Sequence, residues 1–196
     1  AEVGADGKLM AGDDGEVRLV ALGEKLLVPL LAKLTNLVPG GGIWLNTQRP
    51  EWNDANNALA GWGLSIVTVG AIRRYLDFLA GLFAGDGTVP VSAAVVRLLE
   101  RVTTALRDAE APFDDEERFE VLAQLGAAGE EHRTSVYAGR LGDLRPTPHA
   151  AVRALIDAAR TAVDATIRAN RRSDGMYHSY NTLGIADGRA AVERLD

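Results

Sequence analysis

The chain has no cysteine, only three histidines, and few aromatic residues, which make up 6% of its 196 positions. The lack of cysteine excludes disulfides and thiolate chemistry. The histidines, at positions 132, 149 and 178, stand far apart in sequence, so no metal site is expected. A glycine-rich phosphate loop after a strand and a Gly-x-Ser-x-Gly elbow are also missing. No metal and no cofactor is therefore predicted.

Basic charge and uninterrupted apolar sequence are also scarce. The chain has 21 Lys and Arg against 27 Asp and Glu, a net charge of -6 and a pI near 5.1. This balance argues against nucleic acid or an anionic membrane as a partner. The charge-free run 55–72 approaches the length of a membrane span, but it contains Asn56, Asn57 and three glycines. A buried helix and a soluble, cytoplasmic protein are favoured.

The hydrophobic pattern predicts an all-α fold. Residues 1–15 are rich in Gly and Asp, which is typical of a loop or short hairpin. Beyond them, apolar residues recur at helical spacing, with Pro29 expected to kink or divide the first helix. We expect a single domain, residues 1–196, of antiparallel helical hairpins stacked side by side. The predicted helices are about 16–37, 54–83, 92–111, 114–141, 147–169 and 187–195.

The segment 44–62 differs in composition from the rest of the chain. It contains all three tryptophans, four asparagines, a glutamine, an arginine and two carboxylates. Aromatic faces beside amides and acids are typical of a site that stacks a sugar ring and binds its hydroxyls. Trp62 is expected inside a helix as a core residue. The candidate substrate-binding residues here are Trp44, Gln48, Arg49, Trp52, Asn53 and Asn57.

Glu51 and Asp54 are the candidate catalytic residues. They lie three positions apart, so they share one face if Pro50 opens a helix. Paired carboxylates can serve as general acid and base in glycosidic cleavage. The alternative is structural, with Asp54 capping the helix and Glu51 in its first turn. The spacing leaves both interpretations open.

A second polar and aromatic cluster comprises Tyr177, His178, Tyr180 and Asn181. His178 could carry a proton near neutral pH. The alternative is that the tyrosines pack in the protein with their hydroxyls hydrogen-bonded. Because both clusters stand next to predicted helix ends, we expect the segments 44–57 and 177–181 to line one shared cleft.

The run Glu51-Trp52-Asn53-Asp54, followed by Asn56-Asn57, resembles the Asp-Trp-Asn-Asp-Gly-Met-Asn segment of inverting glycoside phosphorylases of the cellobiose phosphorylase type. This resemblance implies an (α/α)6 toroid in which Asp54 is the general acid and Trp52 lies in the sugar subsite. Glu51 and Ala55 depart from the pattern. The segments 44–57 and 177–181 together also resemble large uncharacterised bacterial proteins related to such toroids, which implies that the chain is a fragment.

Two functional hypotheses follow. The first is a carbohydrate-active domain, similar to a glycoside hydrolase or phosphorylase, with Asp54 as general acid. The second is a non-catalytic helical module that binds a saccharide or a protein. The expected partners are a carbohydrate ligand and either the remainder of a larger chain or another copy of this one. A half-toroid would expose apolar helix faces, and such patches drive association.

Overall fold

The computed structural model describes residues 16–46, 58–107 and 113–195, and it is a mixed α/β structure. Within these ranges lie five helices of more than ten residues and seven strands. The helices are α1 (Leu22–Leu34), α2 (Ile66–Leu82), α3 (Ala93–Arg107), α4 (Asp115–Tyr137) and α5 (His149–Ala169). The strands are β1 (Leu37–Val38), β2 (Gly42–Trp44), β3 (Gly63–Ser65), β4 (Thr88–Ser92), β5 (Leu144–Pro148), β6 (Tyr180–Ala186) and β7 (Arg189–Arg194).

The strands form two antiparallel sheets. Five of them make a curled sheet in the order β1-β2-β3-β6-β7, and β4 pairs with β5 in a separate ribbon. In the larger sheet Leu64 of β3 is opposite Asn181 of β6, so residues distant in sequence form its centre. The prediction of an all-α fold of helical hairpins, and with it the (α/α)6 toroid, is wrong.

The last predicted helix, 187–195, is the second strand of a hairpin. Asp187 and Gly188 have φ values of 50° and 74°, and they connect β6 to β7 as a two-residue turn. An Asp-Gly pair between two extended segments is a strong hairpin signal, because both central residues of the turn need positive φ. The turn signal and the pairing of β6 with β7 therefore determine the structure of this segment.

The predicted helix 54–83 also contains a strand in its described part. Gly63–Ser65 is β3, and α2 begins only at Ile66. The Ser65 hydroxyl caps this helix by accepting a hydrogen bond from the Thr68 amide at 3.1 Å. Trp62, expected inside the helix, lies in the preceding turn and is 48% exposed. Pairing of β3 with β6 therefore overrides the local helical pattern.

The remaining predicted helices exist with shifted ends. The first begins at Leu22 and continues through Pro29. The helix α4 begins with a capping box, in which Asp114 accepts hydrogen bonds from two backbone amides and Glu117 accepts one from the Asp114 amide. Such reciprocal bonds satisfy amides that have no partner within the helix. Helices with such local signals can therefore be predicted from the sequence.

Two apolar clusters hold these elements together. The main core lies among the helices, where α3 contributes Val95, Leu98 and Val102 from one face. A smaller cluster joins the curled sheet to α4 through Val38, Leu64, Leu122 and Ala190. Trp44 and Phe119 lie partly buried against this second cluster, which fixes the tryptophan between the sheet and α4.

The surface of α2 is partly apolar. Val67, Phe78 and Leu82 are each about half exposed on this helix. The chain is not a half-toroid, so that architecture gives no reason to expect a second polypeptide. Association through an apolar face stays a prediction. Among the described residues no helix has the length and apolar character needed to cross a membrane.

Candidate functional site

A cleft of about 230 Å³ opens beside Trp44, between the end of α1, the curled sheet and α4. We call it the Trp44 cleft. Its lining combines aromatic and aliphatic surface with amides, a hydroxyl and one guanidinium. The lining residues are Thr35, Asn36, Trp44, Asn46, Phe119, Leu122, Ala123, Gly126, Gly129, Arg133 and Ile185.

Trp44 is held in place from several directions. Its backbone amide donates to the Asn36 carbonyl at 2.8 Å, and its indole Nε1 donates to the Gly61 carbonyl at 3.1 Å. The ring is partly buried against the second apolar cluster. Because the indole N–H already has a partner, the ring can offer a ligand only its surface, which is the part used in stacking.

Amide groups supply hydrogen-bonding capacity in the cleft. Asn36 Nδ2 donates to the Ala32 carbonyl at 2.9 Å, which orients its Oδ1 as an acceptor. Among the described residues nothing donates to Asn36 Oδ1, and no hydrogen bond from them reaches the exposed Asn46 side chain. An amide pair of this kind can both donate to and accept from hydroxyl groups.

Small residues on α4 leave room for the cleft. Ala123, Gly126 and Gly129 recur three positions apart on the face that borders it. A Cβ added at Gly126 would meet no atom within 4 Å, so this position is open to the cleft. A Cβ at Gly129 would lie 3.1 Å from the Thr35 side chain. Two glycines inside one helix are costly to its stability, and here they coincide with a concave surface.

The turn 39–42, which joins β1 to β2, is fixed by buried side chains. The carbonyls of Pro39, Gly40 and Gly41 accept from Arg118 Nε at 2.9 Å, Asn170 Nδ2 at 2.9 Å and Asn181 Nδ2 at 2.7 Å, respectively. A Cβ at Gly41 would lie 2.7 Å from a Leu64 methyl, so the turn approaches the sheet too closely for a larger residue. These bonds fix the start of β2 and hence the position of Trp44.

A second arginine joins the same turn from β7. Arg194 Nη2 donates to the carbonyls of Gly40, at 3.2 Å, and Ala169, at 3.3 Å. Burial lowers the pKa of Arg194, and the nearby charge of Arg118 lowers it further. The guanidinium still carries its charge, because arginine titrates far above neutral pH.

The second predicted cluster does not line the Trp44 cleft. Asn181 is fully buried, and its amide also donates to Asn170 Oδ1 at 2.8 Å. Tyr180 pairs with Ser65 and so lies on the opposite face of the sheet from Asn181 and Trp44. His178 Nδ1 lies 3.0 Å from the Leu195 carbonyl, and Tyr177 is 48% exposed. From β6 the cleft is lined by Ile185, so residues 177–181 do not meet Trp44 there. Residues 47–57 lie outside the described residues, and a cleft shared by the segments 44–57 and 177–181 stays a prediction.

Most of the first cluster lies outside the described residues. The candidate catalytic pair, Glu51 and Asp54, belongs to this group, and its role stays a prediction. The same holds for the candidate substrate-binding residues Gln48, Arg49, Trp52, Asn53 and Asn57.

The sequence reasoning missed several residues of the cleft. Asn36 follows α1, whereas Phe119 and Arg133 lie on α4, and none of the three carries a local signal. The run 125–129, Leu-Gly-Ala-Ala-Gly, is different, because two glycines inside a helical pattern indicate close packing or a functional surface. That run could have pointed to the cleft.

Two other cavities are larger but less suited to a sugar. One, of about 420 Å³, is mostly lined by apolar residues and includes the buried Glu24, whose Oε2 accepts from the Ser92 amide at 2.8 Å. His132 borders it, and burial lowers the pKa of this histidine. The other, about 800 Å³, is an open groove along α5 with an alanine floor. Neither of these two cavities includes a tryptophan among its described lining residues.

No group of three metal-ligating side chains occurs within the described ranges. Comparison with known protein families and with curated proteins gives no match for this chain. The function is therefore inferred from the geometry of the Trp44 cleft.

Proposed function

We propose that this chain binds carbohydrate in the Trp44 cleft. The observation that carries the proposal is a tryptophan whose indole N–H is already hydrogen-bonded, next to two amides with unused capacity. Among the described residues nothing donates to Asn36 Oδ1, and none is hydrogen-bonded to the Asn46 side chain. Stacking on an aromatic face together with amide hydrogen bonds is suited to a sugar ring, which has apolar C–H faces and hydroxyl edges.

The size of the cleft favours one sugar ring or the end of a chain. Its volume of about 230 Å³ is below the roughly 300–1,000 Å³ typical of pockets for drug-sized ligands. Apolar side chains from α4 and β6, Phe119, Leu122 and Ile185, continue the hydrophobic surface beyond the tryptophan. A ligand would therefore contact helix and sheet together.

The described lining of the Trp44 cleft has groups that can bind a sugar but none that can cleave a glycosidic bond. Cleavage would require carboxylates, and the described part of the Trp44 cleft contains none. Glu51 and Asp54 follow Asn46 closely in sequence, and catalysis by them stays a prediction. The proposal is therefore saccharide binding, which does not depend on those two residues.

Gly126→Leu is the variant that tests this proposal. The new side chain would project into the cleft, where the first added carbon meets no atom within 4 Å. We expect sugar affinity to fall at least about tenfold by calorimetry. We expect the melting temperature to stay equal or rise, because glycine costs a helix interior roughly 0.5–1 kcal/mol relative to alanine.

Gly81→Leu on α2 is the matched control, since a Cβ there also meets nothing within 4 Å and the residue lies outside the cleft. It should leave affinity unchanged. The ligands would be the methyl glycosides of glucose, galactose and mannose with their 6-carboxylate derivatives. Equal affinity of wild type and Gly126→Leu, or no binding of any of these sugars, would refute the proposal.

A further inference from the structure

On the basis of the proposed carbohydrate site, we propose that the Trp44 cleft prefers sugars that carry a carboxylate. We propose also that Arg133 determines this preference. The ligand class is then the uronic acids and oligosaccharides that end in one. A neutral sugar would use the same stacking surface and amides with lower affinity.

The charge of the cleft supports this ligand class. Of its described lining residues Arg133 alone has an ionisable side chain, and the others are apolar, hydroxyl or amide residues. The guanidinium is positive at every physiological pH. An anionic group on the sugar is therefore attracted, and an amino sugar is repelled.

Arg133 is also free to change partners. It forms an ion pair with Glu130, one turn earlier on α4, and the two side chains are 54% and 66% exposed. Exposed pairs of this kind contribute little to stability, so exchange for a ligand carboxylate costs little. The guanidinium has five N–H donors in a planar fork, which matches the two oxygens of a carboxylate.

The position of Arg133 on α4 suits contact with a bound ring. It lies four residues after Gly129 and seven after Gly126, so the three share one helix face. The sugar would lie over the small residues and against the Trp44 ring, with its carboxylate at the Arg133 end. The geometry thus gives separate roles to stacking and to charge recognition.

The test compares each methyl glycoside with its own 6-carboxylate by calorimetry, in low salt and in 0.5 M NaCl. For the wild type we expect at least one uronate to bind about tenfold more tightly than its neutral partner in low salt, and salt to reduce the difference. Arg133→Gln should abolish the preference by reducing uronate affinity to that of the neutral sugar. Glu130→Gln should strengthen uronate binding, because it removes the competing carboxylate.

Arg101→Gln is the matched control, since Arg101 forms an ion pair with Glu131 but does not line the cleft. It should keep the preference for uronates. If neutral sugars and uronates bind equally, or if Arg133→Gln keeps the preference, this inference is wrong while carbohydrate binding stands. If none of the sugars binds, both proposals fail.

Discussion

At the scale of single residues, His132 combines burial with incomplete hydrogen bonding. Its Nδ1 atom is buried and has no partner among the described residues. Burial lowers the pKa of this histidine, Arg97 lowers it further, and a hydrogen bond to the Ala94 backbone and the charge of Glu24 raise it. Burial is the largest of these effects, so the folded protein favours the neutral imidazole.

This shift predicts a dependence of stability on pH. The unfolded chain takes up the proton near pH 6.5, whereas the folded protein takes it up only at lower pH. Stability associated with His132 is therefore intact above pH 6.5 and falls as the pH drops toward the folded pKa. We expect the melting temperature of His132→Gln to decrease less than that of wild type between pH 7.5 and pH 5.5. Parallel decreases in the two proteins would contradict this.

At the scale of elements, the hairpin of β6 and β7 depends on its two-residue turn. The hairpin forms one edge of the curled sheet and carries Ile185, which lines the Trp44 cleft. Gly188 has a φ of 74°, and a Cβ there would meet no atom within 4 Å. Glycine is therefore favoured at position 188 because of its backbone conformation, and a side chain there would have enough space.

Gly188→Val should destabilise the protein by about 1–3 kcal/mol, because a β-branched residue is strained at positive φ. Urea denaturation followed by circular dichroism measures this. Asp187→Asn is the control, since asparagine tolerates the left-handed conformation that Asp187 adopts at a φ of 50°. The account of the turn is wrong if the valine variant has wild-type stability.

At the scale of the whole molecule, Arg118 connects three parts of the fold. Its side chain is 11% exposed and extends from α4. Besides the Pro39 carbonyl it donates to those of Ala190, at 2.6 Å, and Phe113, at 3.0 Å. One guanidinium thus joins the turn 39–42, the strand β7 and the segment that precedes α4.

Arg118→Met should destabilise the protein by more than about 3 kcal/mol, because it leaves several carbonyls without donors at about 1–3 kcal/mol for each buried group. The free energy of unfolding in urea is the measurement. The matched control is Arg189→Met, which removes an arginine that is 54% exposed and bound to Glu116 and Asp115. A change above about 1 kcal/mol in the control would be unexpected for a surface ion pair.

The limits of sequence reasoning follow from the range of the interactions. The helix α3 could be predicted because Val95, Leu98 and Val102 repeat at a helical period. The strand β3 could not, because its extended conformation depends on pairing with β2 and with β6, which lies far along the chain. Local composition predicts Trp44 as a site residue, whereas Arg133 comes to the same cleft only because α4 packs against the sheet.

The pairing of β3 with β6 also has a consequence for biosynthesis. The two strands are separated by more than 100 residues, as the positions of Leu64 and Asn181 show. At ribosomal speeds of about 5–20 residues per second, β3 would wait on the order of ten seconds for its partner. During that interval its unpaired edge could add a strand from another nascent chain. Yield in the cell should therefore depend on chaperones that bind the emerging chain before residue 181 has been translated.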